Sequence, residues 1–79
     1  MTKSAKAKKT YTATSPHGET LTYTTTREVT FFTFGLDGDT WEWLGTTTQS
    51  DPAKAAKAGR GTNPYFDEYT ATPATEVRG

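Results

Sequence analysis

The sequence predicts an α+β fold in which a four-stranded antiparallel β-meander carries one short α-helix packed on its aromatic face. Two observations predict the sheet. Threonine alternates with apolar side chains over residues 10–24, and five aromatic rings surround a tight turn in the stretch FFTFGLDGDTWEWLG, residues 31–45. Alternation with a period of two is typical of a half-buried strand. A third observation, the run AKAAKAG directly after Ser50-Asp51-Pro52, predicts the helix.

The composition predicts a folded domain with an aromatic core. The chain has 79 residues, enough for one small domain. Only nine of these are Leu, Ile, Val or Phe, a content associated with disorder, but the formal net charge is zero and ten residues are aromatic. We expect a β-meander plus helix domain at residues 9–59. A flexible basic arm (1–8) precedes it, and an aromatic and acidic C-terminal segment with a loose tail (60–79) follows it.

The first predicted hairpin joins two alternating runs through Ser15-Pro16-His17-Gly18. Proline followed by glycine suits a three-residue hairpin loop. This loop places Ser15 opposite Glu19, so that one face of the hairpin pairs its larger side chains: Tyr11 with Tyr23 and Ala13 with Leu21. The other face then consists of threonines alone: Thr10, Thr12, Thr14, Thr20, Thr22 and Thr24.

The second predicted hairpin turns at Asp37-Gly38, the strongest short hairpin signal in the chain. A two-residue turn there opposes Leu36 to Asp39 and gathers the large partners on one face, Phe34 opposite Trp41 and Phe32 opposite Trp43. A turn around residues 26–29 would join the hairpins, placing Tyr23 opposite Phe32 and Leu21 opposite Phe34. These rings are therefore predicted to form the core, because a sheet needs one covered face.

The helix and the C-terminal segment complete the predicted fold. Asp51 is the predicted N-cap, Pro52 the first helical residue and Gly59 the terminator, with the alanines lying over the rings. The aromatic residues that follow are expected to form a short edge strand or to pack back on the sheet. A loose tail is expected from Thr72 onward.

The sequence predicts neither an enzyme nor a metal or cofactor site. His17 is the only histidine, at a turn tip that suits a solvated side chain, and cysteine is absent. A nucleophile and base pair would therefore lack its usual components. Asp37 and Asp39 are explained by the turn, since a calcium loop needs more oxygen ligands. No apolar run resembles a signal peptide or a membrane span, so the cytoplasm is the expected compartment.

The predicted register places Phe31 opposite Leu44, near Val29, on the threonine face of the sheet. This small apolar patch is either covered by the C-terminal aromatic residues or left free as a contact site. The candidate interaction surface comprises Val29, Phe31, Leu44, Tyr65, Phe66 and Tyr69. Unprotected outer strands could pair with a partner strand or with a second copy of the chain. A protein partner, or a homodimer formed through a sheet edge, is therefore predicted.

Nucleic-acid binding is the alternative function. Its candidate phosphate contacts are the N-terminal lysines Lys3, Lys6, Lys8 and Lys9. Aromatic side chains on a sheet can also stack on single-stranded bases. However, Arg27 is the only basic residue between Thr10 and Lys54, and a groove that follows phosphates needs a basic stripe. The sequence therefore favours a solubilising arm.

The motif YTATSPHG (residues 11–18), the strand with Trp41 and Trp43, and the Ala/Lys helix carry a resemblance. Over roughly residues 8–58 the chain resembles small uncharacterised proteins of actinobacterial phages, which read YTxTxPxG before a Trp-bearing strand and an AxxA helix. The resemblance implies a phage accessory protein in the host cytoplasm that binds a host protein, including a component of a defence system. It is also compatible with a minor virion component.

Overall fold

The computed structural model describes residues 8–77, so Lys3 and Lys6 of the predicted basic arm lie outside the described residues. The α+β class is confirmed, because antiparallel strands and one helix make up this part of the chain. The elements follow in chain order: β1 (Lys9–Thr14), β2 (Thr20–Thr25), β3 (Phe31–Asp37), β4 (Thr40–Thr47), α1 (Pro52–Thr62), β5 (Glu68–Pro73) and β6 (Thr75–Val77).

The described strands form two three-stranded sheets with the orders β2-β1-β6 and β4-β3-β5. The single four-stranded meander is therefore wrong. The pairing of Tyr23 with Phe32 and of Leu21 with Phe34 is also wrong, because β3 pairs with β4 and β5. The connection over residues 26–29 contains no Gly, Pro or Asn to form a tight turn. It leads the chain from one sheet to the other.

The C-terminal segment supplies a strand to each sheet. β5 pairs with β3 and β6 pairs with β1, and only Ala74 separates the two strands. At this corner the Ala74 N–H donates to Thr30 O at 2.9 Å, so hydrogen bonding continues through the bend. A strand that bends between two packed sheets is a known way to form such a corner. The expected loose tail is therefore wrong for residues 72–77, the part of it that the structure describes.

The first hairpin has the predicted register. Tyr11 pairs with Tyr23 and Ala13 with Leu21. Ser15 closes the loop, since its N–H donates to Glu19 O at 2.7 Å and its carbonyl accepts from Gly18 N at 2.8 Å. Gly18 has the positive φ of +90° that this loop requires.

The second hairpin is shifted by two residues from the predicted register. Leu36 pairs with Trp41 and Phe34 with Trp43, because the turn residues are Gly38-Asp39. Gly38 has a φ of +66°. In the described chain, only glycines have a positive φ. Glycine at the first turn position is typical of a type II′ hairpin. A shift of two keeps the side chains of the hairpin up to Trp43 on their predicted faces.

A β-bulge then interrupts β4 beside Thr33 and Phe34 of β3. Thr33 pairs with Gly45 while Phe34 pairs with Trp43, which leaves Leu44 as the extra residue. Phe31 consequently pairs with Thr47, and its predicted pairing with Leu44 is wrong.

The core lies between the two sheets, and the predicted aromatic core is confirmed for Phe32 and Phe34, which are 0% and 1% exposed. The other buried members are Tyr11, Ala13 and Val29, with Leu21, Trp41 and Ala74 packed against them. Trp43 was also predicted to be core, but it lies at the margin and is 39% exposed.

Helix α1 packs on the opposite side of its sheet from the one predicted. It contacts β3, β4 and β5, and a Cβ placed on Gly59 would lie 3.1 Å from Thr33 Cβ and 3.5 Å from Leu44 Cδ1. The first sheet covers the aromatic face instead. Gly59 therefore does not end the helix but permits this close approach. The N-cap is confirmed, since Asp51 Oδ1 accepts from Ala53 N at 2.9 Å.

A candidate binding site at the seam between β2 and β4

Three of the predicted interaction residues, Val29, Phe31 and Leu44, do not form a common surface. Val29 is 5% exposed and belongs to the core. Phe31 is half-buried on the helix side of β3, and Leu44 is half-buried beneath Gly59 of α1. The apolar patch expected from the pairing of Phe31 with Leu44 is thus covered at Leu44 by the helix.

The C-terminal aromatic residues divide into two that pack and one that is exposed. The Phe66 ring lies directly over Gly35, and it meets the Tyr69 ring edge to face with the centroids 6.1 Å apart. The Tyr69 hydroxyl donates to Asn63 O at the end of α1 and accepts from Phe66 N at 3.0 Å. Tyr65 is 84% exposed. The function of these residues in binding remains a prediction.

Among the described strands, β2 and β6 are the outer strands of one sheet, and β4 and β5 are the outer strands of the other. β2 pairs with β1 and β4 pairs with β3, and a side chain of β2 contacts a side chain of β4. All the pairings are antiparallel, and β5 continues into β6, so β2 and β4 run in the same direction. We call the region where these two edges face each other the seam.

Side chains bridge the seam in two places. At one end, the backbone N–H of Trp41 donates to His17 Nε2 at 2.9 Å. This hydrogen bond links the loop of the first hairpin to the edge of β4. His17 was predicted to be solvated; it is exposed, but its ring has this specific partner. Further along, the Tyr23 and Trp43 rings meet edge to face, with the centroids 5.7 Å apart at an angle of 82°.

Trp43 is held rigidly at the seam by two further contacts. Its ring stacks on Phe32 with a centroid distance of 5.3 Å and an interplanar angle of 11°. Its indole N–H donates to Gly45 O at 2.9 Å. Stacking and a satisfied indole N–H both fix the ring orientation. Tyr23 and Trp43 are each 39% exposed, so two positioned rings face solvent side by side.

The seam opens into two adjoining cavities. The first has a volume of about 210 Å³ and is lined by Tyr23, Trp43, Leu44, Gly45 and Thr46. The second, of about 450 Å³, shares its last three lining residues with the first and extends toward the C-terminal half of α1. Its polar lining includes Arg27, Glu28, Thr48, Thr62 and Asn63. The site therefore has an aromatic end and a polar end with one charge of each sign.

The remaining predicted site residues can now be placed. Lys9 opens β1 and is half-buried, and Lys8 before it is exposed. Residues 8–77 contain no group of three or more His, Asp or Glu side chains arranged to hold a metal ion. Within the same residues, no helix is long and apolar enough to cross a membrane.

The exposure of Tyr23 and Trp43 was missed because it depends on the strand order. With β2 in the middle of a meander, Tyr23 would be covered on both sides, whereas the C-terminal strand makes β2 an outer strand. One sequence signal could have revealed this strand. The tetrapeptide YTAT of β1, residues 11–14, recurs at residues 69–72 within β5.

No protein-family model, curated protein or solved structure was found to match this chain. A functional assignment therefore depends on the geometry of the seam and on the phage resemblance.

Proposed function

We propose that this protein is a small, non-enzymatic protein-interaction module that binds its partner protein through the seam. The observation that carries the proposal is the pair of adjacent exposed rings, Tyr23 and Trp43, at the mouth of a cavity. Tyrosine and tryptophan are the residue types most enriched at interaction hot spots, where they fill pockets and exclude water.

Preorganisation supports the same proposal. The stacking of Trp43 on Phe32 and its indole hydrogen bond to Gly45 O hold the ring in place before any partner arrives. A partner would therefore lose little free energy in ordering this side chain. Tyr23 lies on an outer strand, so an approaching protein meets no covering element there.

The resemblance to actinobacterial phage proteins supports a phage accessory product. Its partner would be a host protein in the host cytoplasm, such as a component of a defence system. The free edges of β2 and β4 add backbone groups to the seam that a partner strand can pair with. The same edges are compatible with a homodimer.

A matched pair of variants tests the site. The wild-type protein is used to capture partners from an actinobacterial host lysate, and the Kd of the captured protein is measured after its purification. We expect Tyr23→Ser to weaken binding at least tenfold, because a hot-spot residue is worth about 2 kcal/mol or more. Tyr65→Ser removes a ring of the same kind from the exposed loop between α1 and β5, and it should leave Kd unchanged.

The opposite result for the two variants would place the binding site in the C-terminal aromatic segment. Circular dichroism of both variants must first show the wild-type fold. If Tyr65→Ser weakens binding while Tyr23→Ser does not, the seam is not the interface. If neither substitution changes Kd, both aromatic surfaces are excluded.

Nucleic-acid binding is the second candidate, because exposed rings can also stack on bases. Arg27 lines the adjoining cavity, and Lys9 pairs with Thr25 two residues from Tyr23. Glu28 at the same cavity and the zero net charge argue against it. A gel shift with single-stranded DNA and RNA at low salt decides between the candidates, since phosphate contacts make binding salt-dependent. Mass spectrometry of purified particles tests the virion alternative.

A further inference from the structure

We infer that His17 acts as a pH-sensitive clasp. By clasp we mean the hydrogen bond between His17 and β4, which holds the seam closed at neutral pH and breaks in acid. The inference starts from one hydrogen bond, in which the Trp41 backbone N–H donates to His17 Nε2 at 2.9 Å. The two residues are 24 positions apart and belong to hairpins of different sheets, His17 in the loop between β1 and β2 and Trp41 in β4. This bond therefore joins the two halves of the molecule.

The direction of the bond fixes the protonation state of the ring. A backbone N–H can only donate, so Nε2 must be the acceptor and cannot carry a proton. A neutral imidazole has one acceptor nitrogen, whereas both nitrogens of the imidazolium are donors. The clasp is therefore formed by neutral His17 with its proton on Nδ1. A second proton places two N–H groups against each other and breaks the bond.

The loop is built to hold His17 in this position. Ser15 is 6% exposed, and its Oγ accepts from the N–H groups of His17 (3.2 Å) and Glu19 (3.1 Å). The backbone of the loop is thus anchored in its own hairpin, while the imidazole extends to β4. A side chain held in this way places its acceptor at the edge without a large loss of conformational entropy.

The charged residues closest in sequence to His17 and to Trp41 are acidic. Glu19 follows His17 in its own loop, and Asp37, Asp39 and Glu42 lie on the β3–β4 hairpin. Histidine is the side chain type that ordinarily changes charge between about pH 5 and 8, which sets the pH range to be tested.

Opening the clasp has a defined structural consequence. Trp41 N–H becomes an unpaired donor on the outer edge of β4, where a strand of another chain can reach it. The Tyr23–Trp43 ring contact would still bridge the two edges. The seam cavity should therefore widen in acid, and more of the Trp43 ring should become exposed to solvent.

NMR of the full-length protein tests the clasp. At pH 8 the imidazole ¹⁵N shifts should show a bare Nε2 and a protonated Nδ1. Between pH 8 and 5.5, the Trp41 amide shift should follow the one-proton titration of His17, and Trp fluorescence should change with it. In His17→Gln, whose amide oxygen accepts a hydrogen bond but does not titrate, these changes should vanish.

Each contrary result would overturn the inference. A proton on Nε2 at pH 8 would exclude the observed bond in the wild-type protein, with no variant required. A Trp41 amide that stays unchanged while the imidazole titrates would show that the charge does not reach β4. A pH response that persists in His17→Gln would assign the change to another group.

Discussion

The two faces of β3 are buried in opposite ways. Phe32 and Phe34 project toward the other sheet and fill the space between the sheets with large rings. Thr33 and Gly35 project to the opposite side, where small side chains let Gly59 of α1 and the Phe66 ring come close to the backbone. Both faces are densely packed. The face toward the other sheet is filled by large rings. The face toward α1 is filled because Gly59 and the Phe66 ring come close to the backbone of β3.

This difference determines which substitutions each face accepts. On the ring face, removing atoms leaves a cavity, so smaller residues destabilise. On the helix face, adding atoms causes a clash, so larger residues destabilise. The predictions below test this contrast, and each is measured as the free energy of unfolding in urea.

Phe32→Ala should have the largest effect. The ring is fully buried and stacks on Trp43, and truncating a buried Phe typically costs about 3–5 kcal/mol. A domain of this size has about that much net stability, so circular dichroism should show a largely unfolded chain at 25 °C. The control, Tyr65→Ala, removes an exposed ring and should change stability by less than about 0.5 kcal/mol. A loss below about 1.5 kcal/mol for Phe32→Ala would contradict the assignment of the core.

Gly35→Ala should be the next most harmful change, although it adds a single methyl group. The new Cβ would lie 2.5 Å from Phe66 Cγ, so the ring or the strand must move, at a cost of about 1–3 kcal/mol. The double variant with Phe66→Ala serves as the control. If the clash is the cause, adding Gly35→Ala to the Phe66→Ala protein should cost much less. Equal costs in both backgrounds would rule the clash out.

The two glycines within α1 should respond differently to alanine. Gly61 has open space around the position of a Cβ, so Gly61→Ala should stabilise the helix by up to about 1 kcal/mol. At Gly59 the same change places a Cβ 3.1 Å from Thr33 Cβ, and the strain should offset this gain or exceed it. Gly59→Ala must therefore be less stable than Gly61→Ala. The reverse order would show that the helix can move away from β3 at little cost.

Thr72→Val should give a small gain. Thr72 pairs with Phe32, and its buried Oγ1 has no hydrogen-bond partner, so replacing the hydroxyl with a methyl group should stabilise by about 1 kcal/mol. The matched control is Thr12→Val, because the Thr12 hydroxyl donates to Leu21 O at 3.0 Å. That variant should lose stability. Losses of similar size in both variants would indicate that Thr72 has a partner in solution.

The local parts of this fold were predictable from the sequence. The register of the first hairpin follows from its loop, since Ser15, Pro16 and Gly18 together permit one turn geometry. The N-cap at Asp51 is equally local. In the second hairpin the turn residues could be Asp37-Gly38 or Gly38-Asp39, and the two turns differ in whether Gly38 takes the second or the first turn position. The general preference for Asp-Gly turns predicts Asp37-Gly38, which is wrong.

The strand order and the binding site were not predictable in the same way. Residues 68–77 show weak hydrophobic alternation, and their pairing with β1 and β3 depends on contacts that are distant in the sequence. The face that α1 covers depends on the small size of Thr33 and Gly59. Looking for strands with large apolar side chains on one face does not detect such small residues. The exposure of Tyr23 follows from that strand order. The repeated tetrapeptide YTAT could indicate the C-terminal strand but not its pairing partners, so the seam could be recognised only in the folded chain.

The pairing of β5 with β3 and of β6 with β1 has a consequence for biosynthesis. Of the described residues, these two strands leave the ribosome last, yet they join the sheet that contains β1 to the sheet that contains β3. Until they emerge, Phe32 and Phe34 lack part of their cover, and β1 and β3 each have an open inner edge. Such partly folded nascent chains expose apolar surface and unpaired strands, the features that chaperones bind. Folding of the described strands should therefore be complete only after β5 and β6 have left the ribosome.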